Sequence, residues 1–381
     1  MRHSKRVTKT PDIQIPLEIR PKDGRFGSGP SKVRPEGIAA LVDEAPLYMG
    51  TSHRQAPVRF MVSRLRNAIA ELFALPDGYE VVLGNGGTTI FWDAATFGLI
   101  EKKSQHLAFG EFSGKFAKAV AGAPHLEEPQ VLSAEPGSLT QAEPAAGIDA
   151  YALTHNETTT GVVMPLDRPE GADEGALVLV DATSGAGGIR FDASQTDCYY
   201  FAPQKVLGSD GGLWAAAMSP SAVERVERIA ASDRWIPPSL NLKTALDNSR
   251  KDQTNNTPAL ATLLLATELC EWINHNGGLE FAAGRCDRSA ATMYGWAESR
   301  DFATPYVENP DHRSPTVATI DLDDALDVDT VNAVLRANDI VDTNGYRKLG
   351  RNQLRIAMFP AIDPEDIEAL TACLDYVAER L

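Results

Sequence analysis

The sequence predicts an α/β protein, a large domain built on a mainly parallel sheet with a smaller α+β domain at the C-terminus. Three observations carry this expectation. Short apolar runs rich in β-formers alternate with stretches whose apolar residues recur at helical spacing. Those runs end in glycine-rich or polar turns, as "VVLGNGGTT", "LAFGEF" and "LVLVDATSG" do. After "DRWIPPSLNLKTALDNSRKDQTNNTPAL" the pattern changes, and a fresh strand–helix–strand–helix series closes the chain.

The elements follow in order. The first 20 residues are basic at the outset but lack an apolar core, so they read as a loose arm rather than a secretory signal. "SKVRPEGIAALVDEAP" and "VRFMVSRLRNAIAELFAL" carry apolar positions at helical spacing. "YEVVLGNGGTTIFWDAATFGLI" reads strand, glycine turn, helix, and "QHLAFGEFSGKFAKAVAGA" repeats that order. "AYALTHNETTTGVVMPL" is a strand ending in a polar turn. "GALVLVDATSGAGGIRF" is a buried strand ending in Asp181, and "TDCYYFAPQK" is another, delivering Lys205 before "GGLWAAAMS". "LATLLLATELCEWINHNGG" is a long helix closed by Gly277–Gly278. "SPTVATIDL", "DTVNAVLRANDI", "NQLRIAMFPAI" and "DIEALTACLDYVAERL" complete the small unit. The division expected is an arm over 1–20, a large domain over 21–276 and a small one over 277–381.

The totals narrow the function. At roughly 100–200 residues per domain, 381 residues suit one large and one small domain. A formal charge of −16 repels phosphate backbones and anionic lipid, which argues against nucleic-acid and membrane-surface binding. No apolar run approaches the roughly 18 residues that span a bilayer. Four cysteines without CxxC spacing read as reduced, buried thiols, so a cytoplasmic protein without a metal centre is expected.

In open α/β sheets, ligands bind at the carboxyl ends of the strands, and the polar oddities of this chain fall there. Asp181 ends one strand and Lys205 the next. "GNGGTT", before a helix, can turn backbone N–H groups toward an anion. "GEF" places the Phe112 ring at another strand end, and "HNETTTG" offers the hydroxyls of Thr158 to Thr160. Taken singly, each has a plainer reading: a turn aspartate, a solvated lysine, a common glycine turn, a core phenylalanine. Together they match the needs of pyridoxal phosphate. That cofactor requires a lysine to form a Schiff base and a carboxylate against its ring nitrogen, as well as a flat apolar cover and a glycine–hydroxyl cradle for its phosphate. Asp181, Lys205, Phe112 and the pair Gly87–Thr88 fit these roles.

From "RFGSGPSKVRPE" to "LRIAMFPA" the chain resembles the phosphoserine aminotransferases, fold-type I pyridoxal-phosphate enzymes of the class V aminotransferase group. The motifs that carry the resemblance are "GTSHRQ", "NETTTG", "VDATS", "APQK" and "NNTPAL". It implies Lys205 as the Schiff-base lysine with Gln204 beside the cofactor, Asp181 at the ring nitrogen, Phe112 stacked on the ring and Thr158 near the ring hydroxyl. Gly87 and Thr88 would bind the cofactor phosphate, with Thr183 or Ser184 as a further contact. Asn256 and Thr257 would reach over from the second subunit of a homodimer, and the same residues also read as the cap of the following helix. Arg355 would grip the α-carboxylate. Arg54, with His53 and with Arg347 as a third cation, would anchor the substrate's distal group. Where many members have an arginine after the glycine pair this chain has Thr88, and where many have a histidine in the C-terminal loop it has Tyr346. Lys348 or Arg351 would then take up the substrate phosphate.

The implied reaction is ping-pong transamination: L-glutamate gives its amine and leaves as 2-oxoglutarate, then 3-phosphooxypyruvate takes the amine and leaves as O-phospho-L-serine. The family also implies a related step on 3-hydroxy-2-oxo-4-phosphooxybutanoate in pyridoxine synthesis. A class V aminotransferase acting on unphosphorylated acids, of serine–pyruvate or alanine–glyoxylate type, is the alternative within the fold. A nicotinamide-dependent oxidoreductase would need an early dinucleotide fingerprint, which is missing, and a non-catalytic scaffold would not need Asp181 and Lys205 together.

Overall fold

The computed structural model describes residues 11–381. Its main strands are β1 (Glu80–Asn85), β2 (Ser104–Ala108), β3 (Gln130–Ser133), β4 (Ala150–Thr154), the short hairpin β5 (Asn156–Glu157) and β6 (Val162–Val163), β7 (Leu177–Asp181), β8 (Cys198–Phe201) and β9 (Leu213–Met218). Seven of them form one sheet in the order β1-β9-β8-β7-β4-β2-β3. Helices α1 (Pro35–Tyr48), α2 (Ala56–Leu72), α3 (Thr88–Gly98), α4 (Glu111–Ala121), α5 (Pro220–Ala230), α6 (Leu242–Ser249) and α7 (Leu260–His275) surround it. Alternation along the strands sends Val81, Leu83, Val178 and Val180 to one core with α2 and α7. Val82, Leu177, Leu179 and Tyr200 go to a second core with α3, α4 and α5. Helices on both faces of a sheet buried on both faces give the doubly wound architecture.

The run from β8 through β7, β4 and β2 to β3 is parallel, as the alternating pattern predicts. β9 is the exception, antiparallel to both β1 and β8. Its cause is local: the connection from β8 has no helix, and a parallel crossover needs a dozen or more residues, usually helical. The loop that carries Lys205 is that tight return.

The C-terminal part comprises α8 (Gly278–Glu298), β10 (Ala303–Pro305), β11 (Val317–Leu322), α9 (Val328–Ala337), β12 (Gln353–Ala357) and α10 (Pro364–Ala378), with an antiparallel sheet in the order β10-β11-β12. Gly277, at φ 117°, separates α7 from α8. The core of this part also takes in Ile15 and Phe26, and Arg25 bridges in parallel to Val341. Ile15 donates its N–H to Asn338 Oδ1 at 2.9 Å, and the Arg20 guanidinium donates to the same oxygen at 2.7 Å. The loose-arm expectation is therefore corrected for residues 13–20, which are docked. Residues 1–10 lie outside the described residues. This core draws on both ends of the chain, whereas the sequence pattern located it after residue 276 alone.

All four cysteines are free and buried, no cluster of metal-ligating side chains occurs among the described residues, and no helix there is long and apolar enough to cross a membrane.

Candidate active site

Asp181 ends β7 and stands in register with Thr154 of β4 on one side and Tyr200 of β8 on the other. Lys205 follows β8 by four residues, so both reach the carboxyl edge of the sheet. They line one cavity of about 150 Å³ with Gly87, Thr88, Trp92, Phe112, Thr158 and Gln204. Asp181 is 6% exposed and has no cationic partner within 4 Å among the described residues. Burial raises its carboxyl above the usual range, opposed by hydrogen bonds from Thr183 and Trp92. Its Oδ1 accepts from the Thr183 N–H at 3.0 Å and hydroxyl at 2.6 Å, and its Oδ2 accepts from Trp92 Nε1 at 3.1 Å.

The Lys205 amine donates to the Ser28 carbonyl at 3.0 Å and lies 5.4 Å from the Phe112 ring centre. Burial first, then the Arg355 charge, push it down to about 8. Gly29 forms the wall beside it. At φ 137° only glycine is at ease there, and a Cβ would lie 2.7 Å from Lys205 Nζ.

Helix α3 begins at Thr88 with Gly87 as its N-cap, and no side chain caps it. The N–H groups of Thr88 and Thr89 therefore open toward the cavity without an acceptor among the described residues, a ready anion cradle. Around it the hydroxyls are linked: Thr88 to Thr183 at 2.7 Å and Thr158 to Ser184 at 2.8 Å. Ser184 also accepts from Asn156 at 2.8 Å. Arg355 of β12, outside the lining of this cavity, is half-buried against the Tyr346 ring, 5.6 Å from its centre. Its Nη1 donates to the Thr158 carbonyl at 3.4 Å, its Nε has no partner, and no carboxylate lies within 4 Å of it among the described residues. A guanidinium whose Nε is buried without a partner is costly to leave unpaired, so this one is shaped for an incoming carboxylate.

The aminotransferase class-V family model matches residues 131–370. A putative phosphoserine aminotransferase from Mycobacterium leprae is 56% identical over 372 residues, covering 98% of this chain and 99% of that one. A phosphoserine aminotransferase from Nocardioides sp. is 57% identical over 373 residues, covering 98% and 100%. The chain belongs to the phosphoserine aminotransferase family. A crystal structure of a phosphoserine aminotransferase from Cytophaga hutchinsonii superposes with a TM-score of 0.84 at 26% identity, covering 92% of this chain and 97% of that one.

Pyridoxal phosphate is the cofactor of class-V aminotransferases, and the cavity of this family member fits it. A buried carboxylate without a cation, an amine with a lowered proton affinity and an open helix N-terminus face one space. Thr183 and Ser184, expected at the phosphate, have hydroxyls already engaged with Asp181, Thr88, Thr158 and Asn156. Lys348 and Arg351, the cations expected to replace the family's phosphate ligands, are neutralised by Glu111 and Asp321. Arg347 is exposed at the start of a short 3-10 turn and does not line the cavity.

His53, Arg54, Asn256 and Thr257 do not line the Asp181–Lys205 cavity of their own chain. His53 Nδ1 meets Thr257 Oγ1 at 3.2 Å, and the Asn85 amide donates to the Asn256 and Thr257 carbonyls at 3.3 and 3.0 Å. The expected helix cap at Asn256–Thr257 is corrected: α7 begins at Leu260 with Ala259 at its N-cap, and both polar residues are exposed. Trp92 and Glu157 were not foreseen. Trp92 lies four residues after Thr88, one turn along the same helix face, so the helical period contained that signal.

Proposed function

We propose that this protein transfers the amino group of L-glutamate to 3-phosphooxypyruvate, yielding O-phospho-L-serine and 2-oxoglutarate. The related phosphorylated four-carbon 2-oxo acid of pyridoxine synthesis would be a second acceptor. The observation that carries the proposal is Arg355, a half-buried cation without a carboxylate among the described residues, whose charge is felt at the Lys205 amine. The identity of 56% and 57% to phosphoserine aminotransferases supports the phosphorylated substrate over its unphosphorylated analogues.

When bound, pyridoxal phosphate supplies an electron-accepting ring that stabilises negative charge at the substrate Cα. Lys205 would hold its aldehyde carbon and Asp181 its ring nitrogen, Phe112 would cover the ring, and Thr158 and Gln204 would flank it. Gly87, Thr88 and the start of α3 would take its phosphate. Lys205 would take the proton from the substrate Cα and deliver it to the cofactor carbon as base and then acid, a task suited to an amine held near neutrality. Arg355 binds the α-carboxylate of both substrates in turn and so presents the same Cα to the same amine. The expected outcome is that kcat/KM for phosphoserine exceeds that for serine or alanine by on the order of 10²-fold or more, the worth of two charge-assisted contacts. A coupled assay with 2-oxoglutarate measures this; equal use of serine or alanine points instead to an aminotransferase of unphosphorylated acids.

The active unit we propose is a homodimer in which His53, Arg54, Asn256 and Thr257 complete the partner's site, with Arg54 and Arg347 receiving the substrate's distal anion. Support comes from the exposed apolar side chains Ile38, Val42, Leu47 and Met49 on and just after α1 and Phe60 on α2, which flank the loop that bears His53 and Arg54. Light scattering on the purified chain is expected to give twice the chain mass, and a monomer at assay concentration with full activity would refute the shared site. The cytoplasm is the compartment proposed, in keeping with four reduced thiols.

A further inference from the structure

Glu157 is completely buried, yet it belongs to neither the cofactor nor the substrate set. Its Oε2 accepts from the Phe112 N–H at 3.0 Å, the Ser113 N–H at 2.9 Å and the Ser113 hydroxyl at 3.0 Å. Its Oε1 accepts from the Thr159 N–H at 3.2 Å and hydroxyl at 2.8 Å. Helix α4 thus has its cap supplied from another strand, because its own N-cap is Gly110, which makes no side-chain bond. Gly110 cannot carry one: a Cβ there would lie 2.6 Å from Glu157 Oε2.

The consequence is a single node joining three walls of the site. Phe112, whose ring faces Lys205, is fixed through its backbone N–H to the β5–β6 hairpin. The same hairpin carries Thr158, whose carbonyl receives Arg355, and Thr160, whose carbonyl receives Thr319 of β11 at 2.7 Å. The charged groups near Glu157 are Arg355 from β12, Lys205 from the β8–β9 return and Asp181 from β7, and it makes no ion pair with either cation among the described residues.

We propose that Glu157 is a positioning residue of the transamination site: it holds the Phe112 ring opposite Lys205. The proposal rests on the pyridoxal-phosphate reading above. Its charge favours the protonated amine, whereas Arg355 opposes it, so removing it shifts the titration at Lys205 toward lower pH.

Three variants of the cofactor-loaded protein test this: Glu157→Gln, Glu157→Asp and Ser113→Ala. Glu157→Gln loses the charge and turns a donor toward part of the amide set. It is expected to lower kcat on the order of 10²-fold, to weaken the circular dichroism of the bound cofactor, and to move the midpoint of its spectral pH titration downward. Glu157→Asp keeps the charge but shortens the reach, so the dichroism changes while the midpoint stays. Ser113→Ala removes one bond to Glu157, with the hydroxyl's bonds to the Gly110 carbonyl and the Phe109 N–H, and leaves both signals near wild type, with lower thermal stability alone. If Glu157→Gln folds and keeps the wild-type midpoint and dichroism, Glu157 is a helix cap and nothing more. If Glu157→Gln does not fold, Glu157→Asp decides: unchanged dichroism overturns the positioning role. Absence of any cofactor spectrum in the wild-type protein is a different failure, that of the underlying function.

Discussion

Lys205→Ala is expected to lower turnover of glutamate and 3-phosphooxypyruvate by on the order of 10⁴-fold, the upper end for loss of a positioned acid–base group. No other amine among the described residues lines the cavity to replace it. An added small primary amine should restore part of the rate, since the space vacated beside Gly29 and Phe112 is the space the side chain filled. Rescue by amine, measured in single turnovers, separates a chemical role from a folding defect; normal turnover by the unrescued variant would sink the assignment. The pH dependence has a definite sign. Lys205 is held at about 8 against an ordinary 10.5, so uptake of pyridoxal phosphate by the cofactor-free chain should rise about tenfold per pH unit below that value and level off above it. Between about 8 and 10.5 the unfolded chain holds this proton and the folded chain does not. Folded stability of the cofactor-free chain therefore gains from this group as pH rises through that window.

Asp181→Asn should lower kcat on the order of 10²–10³-fold and weaken cofactor binding, because a buried charge pair loses one partner, a change that typically costs about 2–5 kcal/mol. The substitution keeps an acceptor for Thr183 but sets an amide donor against the Trp92 Nε1–H, or the reverse. Trp92 thus doubles as the reporter, since its emission should change in the cofactor-free variant while the fold, by far-ultraviolet dichroism, does not. In the absence of cofactor the variant should be no less stable at neutral pH than the native chain by more than the lost hydrogen bond, about 1 kcal/mol. Retention of full kcat by Asp181→Asn would mean that the ring nitrogen is held elsewhere.

The strand-end rule made the cavity floor readable. Gly87, Thr88, Phe112, Thr158, Asp181, Gln204 and Lys205, drawn from five separate stretches, line one cavity because each closes a β-run of one sheet. What escaped had no local signature. Glu157 sits in the same quoted motif as Thr158, but its partners are 44 and 45 residues earlier, and nothing local marks a carboxylate that caps a remote helix. The reversed direction of β9 depends on the absence of a helix in the Lys205 loop, which alternating hydrophobicity does not weigh. Docking of residues 13–26 depends on long-range pairing with Asn338 and Val341, visible only once the C-terminal sheet exists. The ion pairs of Lys348 and Arg351 likewise join residues far apart in sequence, so both looked free.

Gly29 beside the lysine and Arg355 of β12 lie far apart in the sequence, on either side of the lysine and the aspartate. A nascent chain emerging from the ribosome therefore carries the amine and the aspartate long before it has a complete chamber around them. Only when the last strand of the small sheet has left the exit tunnel can the early segment and the late one meet over the amine. Completion of the binding chamber is in this sense a report that synthesis has passed β12.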